Sequence, residues 1–310
     1  MAETVIRTED LSRSFDGTLA VDRLSLSVTR GEVFGLLGPN GGGKTTTVRM
    51  LCCLLAPSLG TAEVLGINVT RPQGNEEIRQ RVGFLPEAPG LYDRLSAFRN
   101  LDFHARLYGV PPERRAERIE SLLRRLDVWE RRDDAIATFS RGMRRKIALA
   151  RSVVHEPEIV FLDEPTANLD PEAAITVREM ILELRREGRT VFLNTHNLDE
   201  AGRICDRVAV LKTRLRAIGA PRELGRQRFG RWTRIELAAP SPDVERALGS
   251  TNLARGLRAN GNHLSVQVDD PTKDNPLLAE LIVRAGGQVV EIGEEHHGLE
   301  ELYLSLVEER

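Results

Sequence analysis

Three cysteines are too few for a disulfide scaffold, and two of them, Cys52 and Cys53, sit side by side in an apolar run. That spacing suits small buried hydrophobes rather than a bridge framework or a metal site, and a reducing compartment is the expectation. Long hydrophobic runs are also missing. The longest, residues 33–37 and 51–56, fall far short of the about 20 residues of a membrane span. Glu3, Arg7 and Glu9 stand where a signal peptide would be apolar. Neither sign of charge dominates: Lys and Arg number 44, Asp and Glu 46, for a net charge of −2, which excludes the basic footprint of a nucleic-acid binder. Lysine is scarce, at 44, 146, 212 and 273 only, a bias that codon usage is sufficient to explain. No internal repeat or low-complexity tract is present.

What remains is 310 residues, 41% hydrophobic and 29% charged, enough apolar material for a packed core and a length that predicts two domains. Thr4–Ile6 and the alternating Leu24, Leu26 and Val28 predict short antiparallel strands bounded by Asp16-Gly17 and Arg30-Gly31. Val33–Leu37 is a continuous apolar strand that runs into a glycine-rich loop, and the helix beyond carries Val48, Met50, Leu51, Leu54 and Leu55 on one side. Residues 93–152 are Arg-rich, with Leu101, Phe103, Leu107, Ile119, Leu122 and Leu126 at helical spacing, and predict an inserted helical subdomain. A buried strand, Ile159–Leu162, ends in Asp163-Glu164. After a helix over Pro171–Arg186, a second strand, Thr190–Asn194, ends in Thr195-His196. Two strands thus offer polar groups at their carboxyl ends, where open α/β sheets bind ligands. After Arg207–Leu211 the pattern weakens through Gly219, Pro221, Gly225 and Gly230, so residues 1–220 and 230–310 are expected to form separate domains. The second reads as a small α+β unit with strands at Trp232–Leu237, His263–Val268 and Gln288–Ile292 and helices at Asn275–Ala285 and Leu299–Glu308.

Gly38-Pro39-Asn40-Gly41-Gly42-Gly43-Lys44-Thr45-Thr46 matches GxxxxGK[ST], between a strand and a helix as that motif requires. Its glycines let backbone N–H groups wrap a phosphate at a helix N-terminus; Lys44 would then neutralise the β- and γ-phosphates, and the Thr45 hydroxyl would ligate Mg²⁺. Asp163 stands where a P-loop NTPase holds Mg²⁺ from the end of a buried strand, and Glu164 beside it can polarise an attacking water. General-base help of that kind is worth about 10²–10⁴-fold, which argues for hydrolysis rather than binding alone.

Further segments resemble the ATP-binding cassette (ABC) superfamily. Phe15, before Asp16-Gly17, matches the aromatic that stacks on adenine. Phe139-Ser140-Arg141-Gly142-Met143 aligns with the LSGGQ signature and is followed by the basic helical stretch Arg144–Arg151. Ala167-Asn168-Leu169-Asp170 matches the D-loop, and His196 the switch histidine that contacts the γ-phosphate and the water. The resemblance covers roughly residues 4–215. It implies an α/β fold: a RecA-like parallel sheet with an antiparallel β subdomain and an inserted helical subdomain, here with a C-terminal α+β domain added. Two departures stand out. Glu87 replaces the Q-loop glutamine, keeping a hard oxygen for Mg²⁺ but adding negative charge, and Arg141 and Met143 replace a Gly and a Gln while Ser140 and Gly142 are kept.

In this superfamily the signature meets ATP bound to a facing protomer, so the resemblance implies a second nucleotide-binding domain, supplied by a homodimer or a close relative. Asn168 and Asp170 would link the two sites. The permease would be a separate polypeptide, docked near Glu87 and Leu91–Asn100, with the chain peripheral on the cytoplasmic face of the membrane. Gly90-Leu91-Tyr92, Leu107-Tyr108-Gly109 and Gly298–Leu304 resemble type-2 exporter subunits, a branch that handles drugs, antibiotics, polysaccharides and lipids. Two alternatives are an importer ATPase with a regulatory C-terminal domain and a non-transport ATPase acting on ribosomes or DNA. The remaining histidines lack ligand spacing, and the adjacent pair His296-His297 is not expected to converge on a metal.

Overall fold

The computed structural model describes residues 3–295 and 298–307, so His296 and His297 lie outside the described residues. Two compact units are present: one runs to Ala220 and takes in the segment from Leu306, the other is Pro221–Ser305.

The first unit opens with a hairpin, β1 (Thr4–Phe15) and β2 (Thr18–Thr29), each strand 12 residues long and so far longer than the sequence pattern predicts. Its turn is Asp16-Gly17, with φ of 47° and 83°, the double left-handed conformation of a tight hairpin turn that matches strand twist. β3 (Val33–Leu37) leads into α1 (Lys44–Leu51), then come β4 (Leu59–Val64), β5 (Ile67–Asn68), α2 (Pro72–Arg81) and β6 (Val82–Leu85). The helical subdomain is α3 (Ala97–Leu107), α4 (Pro112–Arg125) and α5 (Arg141–Val153). The chain returns through β7 (Ile159–Asp163), α6 (Pro171–Arg186), β8 (Thr190–Asn194), α7 (Leu198–Ile204), β9 (Arg207–Lys212) and β10 (Arg214–Gly219).

These strands make a six-stranded sheet, β10-β9-β3-β8-β7-β6, parallel except for β10, and an antiparallel sheet, β2-β1-β4-β5. Every residue of β3, β7 and β8 is buried, as expected of parallel strands covered on both faces. One core joins the two sheets through α1: Ile6, Leu11 and Leu24 belong to the same buried cluster as Met50, Phe161 and Phe192. The carboxyl ends of β3, β7 and β8 therefore open at one edge, which is where the site lies. Among the described residues no helix is long and apolar enough to cross a membrane. The three cysteines are free, with Cys52 and Cys205 buried and their thiols pushed up by that burial.

The second unit comprises α8 (Pro221–Phe229), β11 (Arg231–Leu237), α9 (Pro242–Ser250), β12 (Arg255–Asn260), β13 (His263–Val268), α10 (Pro271–Arg284) and β14 (Val289–Glu295), and α11 (Leu299–Val307) follows. Its antiparallel sheet, in the order β12-β13-β11-β14, packs one face on α9 and α10 through Ile235, Leu264, Val266, Val244, Leu248 and Ile282. The weak pattern around Gly219–Gly230 reads as a break in the sequence, yet it is the helix α8. Pro221 starts it, but only Leu224 and Gly225 are buried, too few to leave an apolar period. α2, with Ile78 alone buried, and the exposed edge strand β12 escape the sequence pattern for the same reason.

Candidate functional site

The loop Gly38–Gly43 leaves the buried end of β3 and is pressed on both sides by backbone. A Cβ on Gly38 would lie 2.0 Å from the Leu211 carbonyl oxygen, and one on Gly43 would lie 2.3 Å from that of Ala20. Gly41 and Gly43 also take φ of 77° and 98°, so only glycine fits this path. The Gly42 amide donates to Pro39 O at 3.0 Å, and Gly42 O accepts from Thr213 N at 3.0 Å, which pins the loop to the start of β10. No side chain caps α1 and no acid lies in its first turn, so its N-terminal amides stay available to an anion.

Lys44 is buried and its ammonium donates to Gly38 O at 2.9 Å and Pro39 O at 3.1 Å. Burial lowers its pKa, while the nearby Glu164 and Asp163 charges hold it up. Across from it Thr45 Oγ1 donates to Asp163 Oδ2 at 3.1 Å, and Asn194 Nδ2 donates to Asp163 Oδ1. Asp163 and Asn194 are register partners at the ends of β7 and β8. Burial raises the Asp163 carboxyl above the usual carboxylate range, and the Thr45 and Asn194 donors oppose that rise. Asn194 Oδ1 is buried without a partner. Thr45, Asp163 and Asn194 thus present hard oxygens, and among the described residues no cluster of three His, Cys, Asp or Glu side chains could hold a metal alone. That donor set fits a small divalent cation that takes its remaining ligands from water and substrate phosphate.

Glu164 follows in the left-handed region, φ 51°, with its amide donating to Asn194 O at 2.8 Å. Its carboxylate is held on both oxygens: Oε1 lies 2.8 Å from His196 Nδ1, and Oε2 accepts from Thr195 Oγ1 at 3.5 Å. Phe15 stands at the hairpin tip, 44% exposed, with the Arg13 guanidinium 4.6 Å above its ring. A cavity of about 610 Å³ gathers Phe15, residues 40–46, Glu87, Asp163, Glu164, Asn168 and His196. Gly38 and Pro39 stand behind it as acceptors for Lys44. Asn194 and Ala20 also line it; the sequence signal for Asn194 is a polar residue ending a buried strand beside Asp163.

The remaining expected site residues lie elsewhere. Ser140, Gly142, Met143 and Asp170 line a second cavity of about 460 Å³ with Trp129 and Lys146. Ser140 caps α5, its hydroxyl accepting from Met143 N at 3.2 Å, and Asp170 caps α6, accepting from Ala173 N at 2.8 Å. Gly142 lies where the two helix starts pack closely, and a Cβ there would be 3.1 Å from Ala173 Cβ, a tight contact. Arg141 is exposed and lines neither cavity. Asn168 and Asp170, two residues apart, belong to different cavities.

Residues 21–167 match the family model for ABC transporters. Over 306 residues the chain is 37% identical to the daunorubicin/doxorubicin resistance ATP-binding protein DrrA of Streptomyces peucetius, covering 97% of this chain and 92% of that protein. It is 35% identical to Nod factor export ATP-binding protein I of Ralstonia nicotianae, over 89% of this chain and 84% of that one. Among solved structures, an ATP-binding subunit of an ABC transporter superposes with a TM-score of 0.68 at 31% identity, over 73% of this chain and 94% of that one.

Proposed function

This chain belongs to the ABC transporter family as an ATP-binding, ATP-hydrolysing subunit, and from that premise we propose that it powers export of a drug, lipid or polysaccharide through a separate permease. The support for export is the length of the likeness: relatives named for drug resistance and for Nod factor export align beyond the ATPase core into the second unit. On this reading the chain sits on the cytoplasmic face of the membrane, carried there by its permease.

Within the site, Phe15 stacks on adenine while Lys44 and the amides of residues 40–46 hold the β- and γ-phosphates. Thr45 and Asp163, aided by Asn194 and Glu87, would hold Mg²⁺, which would supply neutralisation of the phosphate charge. Glu164 takes the proton of the attacking water, and His196 and Thr195 fix its carboxylate toward the phosphate loop. Ser140, Gly142 and Met143, lining a cavity apart from that loop, complete the site of a second copy, with Asn168 and Asp170 running between the two. Arg141, exposed beside them, would meet the same partner surface.

The observation that carries the hydrolytic reading is the 2.8 Å pairing of Glu164 with His196 beside the Lys44 loop. Its test is Glu164→Gln in the complex purified from membranes with its permease. ATPase turnover is expected to fall by about 10²-fold or more with ATP binding retained. Full turnover in that variant would remove Glu164 from the chemistry, and purification without any integral membrane protein would remove the permease.

A further inference from the structure

Arg145, in the second turn of α5, has no carboxylate partner among the described residues that could explain its burial. It is 5% exposed, and its guanidinium bonds five backbone carbonyls instead. Nη1 donates to Pro86 O and Glu87 O, both at 2.8 Å, Nη2 to Asp163 O and Glu164 O at 2.5 and 2.6 Å, and Nε to Pro165 O at 3.1 Å. All five N–H donors of an arginine are thereby used. One side chain ties together the segment bearing Glu87, the strand end bearing Asp163 and Glu164, and the helix that Ser140 caps.

Two neighbours on α5 extend the same hold. Arg151 Nη1 donates to Pro89 O and Gly90 O, both at 2.7 Å, and Arg144 Nη2 meets Asp93 Oδ1 at 2.5 Å. The segment Pro86–Gly90 forms no helix or strand, and its prolines at 86 and 89 have no N–H to donate. Its carbonyls at 86, 87, 89 and 90 all go to arginines of one helix.

We propose that Arg145 is a positioning residue for ATP hydrolysis, which sets the backbone of Glu164 and the place of Glu87 from the helix that carries the signature. The inference rests on the reading of Glu164 as the base. Glu164 holds an unfavourable φ of 51°, fixed on its amide side by Asn194 O and on its carbonyl side by Arg145. Removing the guanidinium frees the Asp163 and Glu164 carbonyls while breaking no bond made by Lys44, Thr45 or the glycine loop. The chemical step suffers and nucleotide binding does not. Since Ser140 caps α5, a shift of α5 carries Ser140 and, through Arg145, the Glu87 and Glu164 backbones together.

The test is steady-state ATPase of the permease complex carrying Arg145→Lys, Arg145→Gln or Arg151→Gln, with thermal stability measured on each. A lysine keeps the charge but has three donors on one nitrogen and cannot reach five carbonyls. Arg145→Gln is expected to lower kcat by about 10- to 100-fold with KM for ATP within about twofold, as misplacement of a catalytic group by an ångström does. Arg145→Lys should recover part of the loss, and Arg151→Gln, which frees only the 89 and 90 carbonyls, should lose less than either. Should Arg145→Gln fail to fold, Arg145→Lys decides alone: a lowered kcat at unchanged KM supports the proposal, and wild-type kcat overturns it. Equal loss in kcat/KM and in ATP affinity also overturns it, since that is the mark of a damaged scaffold. Full activity of Glu164→Gln would instead defeat the underlying reading, whatever the arginine variants do.

Discussion

A histidine that stays neutral when buried makes a protein sensitive to acid, and His104 and His155 both do so here. Burial lowers each from the ordinary 6.5 to about 4, with Arg151 adding to the effect at His104 and Arg118 and Arg189 at His155. The His155 ring stacks on Tyr108 with centroids 3.7 Å apart and meets Val82 O at 3.1 Å, while His104 Nε2 is buried without a partner. Because the unfolded chain binds protons near 6.5 and the folded chain only near 4, their contribution to stability is complete above about 6.5. It declines as the pH falls toward 4. Melting temperature is therefore expected to drop across that window. His104→Phe should flatten the drop and cost nothing at pH 7.5, because it removes an orphaned polar atom along with the titrating group. Calorimetry between pH 4 and 8 measures both; an unchanged slope in the variant would show that His104 is not a source of the acid sensitivity.

Caps and apolar periods decide which elements form and which of them can be read from the sequence. Ser96 caps α3, its hydroxyl accepting from Arg99 N at 3.2 Å, and Ser96→Ala should cost about 1 kcal/mol, read from the midpoint of urea unfolding. The bounds of β3, β8 and α6 are legible in the sequence. β3 is an unbroken apolar run, β8 is an apolar run, Val191–Leu193, between Thr190 and Asn194, and α6 is framed by Asp170 at its cap and Pro171 at its first turn. β12 and α8 are not, since an element that buries one side chain or none carries no period to detect. The same holds for the 86–93 segment. It has no period of its own, and its course is dictated by Arg145, Arg151 and Arg144 across about 50 to 60 residues of sequence.

At the scale of the molecule, each unit has a buried cluster of its own, one around Phe34, Phe161 and Phe192 and the other around Ile235, Leu264 and Ile282. Leu264→Ala removes a fully buried side chain from the smaller cluster and should destabilise Pro221–Ser305 by about 2–5 kcal/mol. Calorimetry should show this as one transition moved down with the other held. A uniform shift of the whole unfolding profile would instead mean that the two clusters melt as one.

The phosphate loop is readable without coordinates because glycines, Lys44 and Thr45 are contiguous, and the chemistry of a phosphate cradle is local to one turn. Asp163, Glu164 and His196 are nearly as legible, since they end or closely follow two buried strands, β7 and β8, whose carboxyl ends open at the sheet edge. Tertiary structure alone decides how these groups are shared out. It sets Asn194 against Asp163 through the register of β7 and β8, and it puts Ser140 and Asp170 in a cavity of their own. It also makes Arg145, one arginine among many in the sequence, the donor to five carbonyls from two distant segments. A backbone carbonyl is the same at every position, so no residue pattern marks which ones a buried guanidinium will find; only the packing of α5 against the ends of β6 and β7 does.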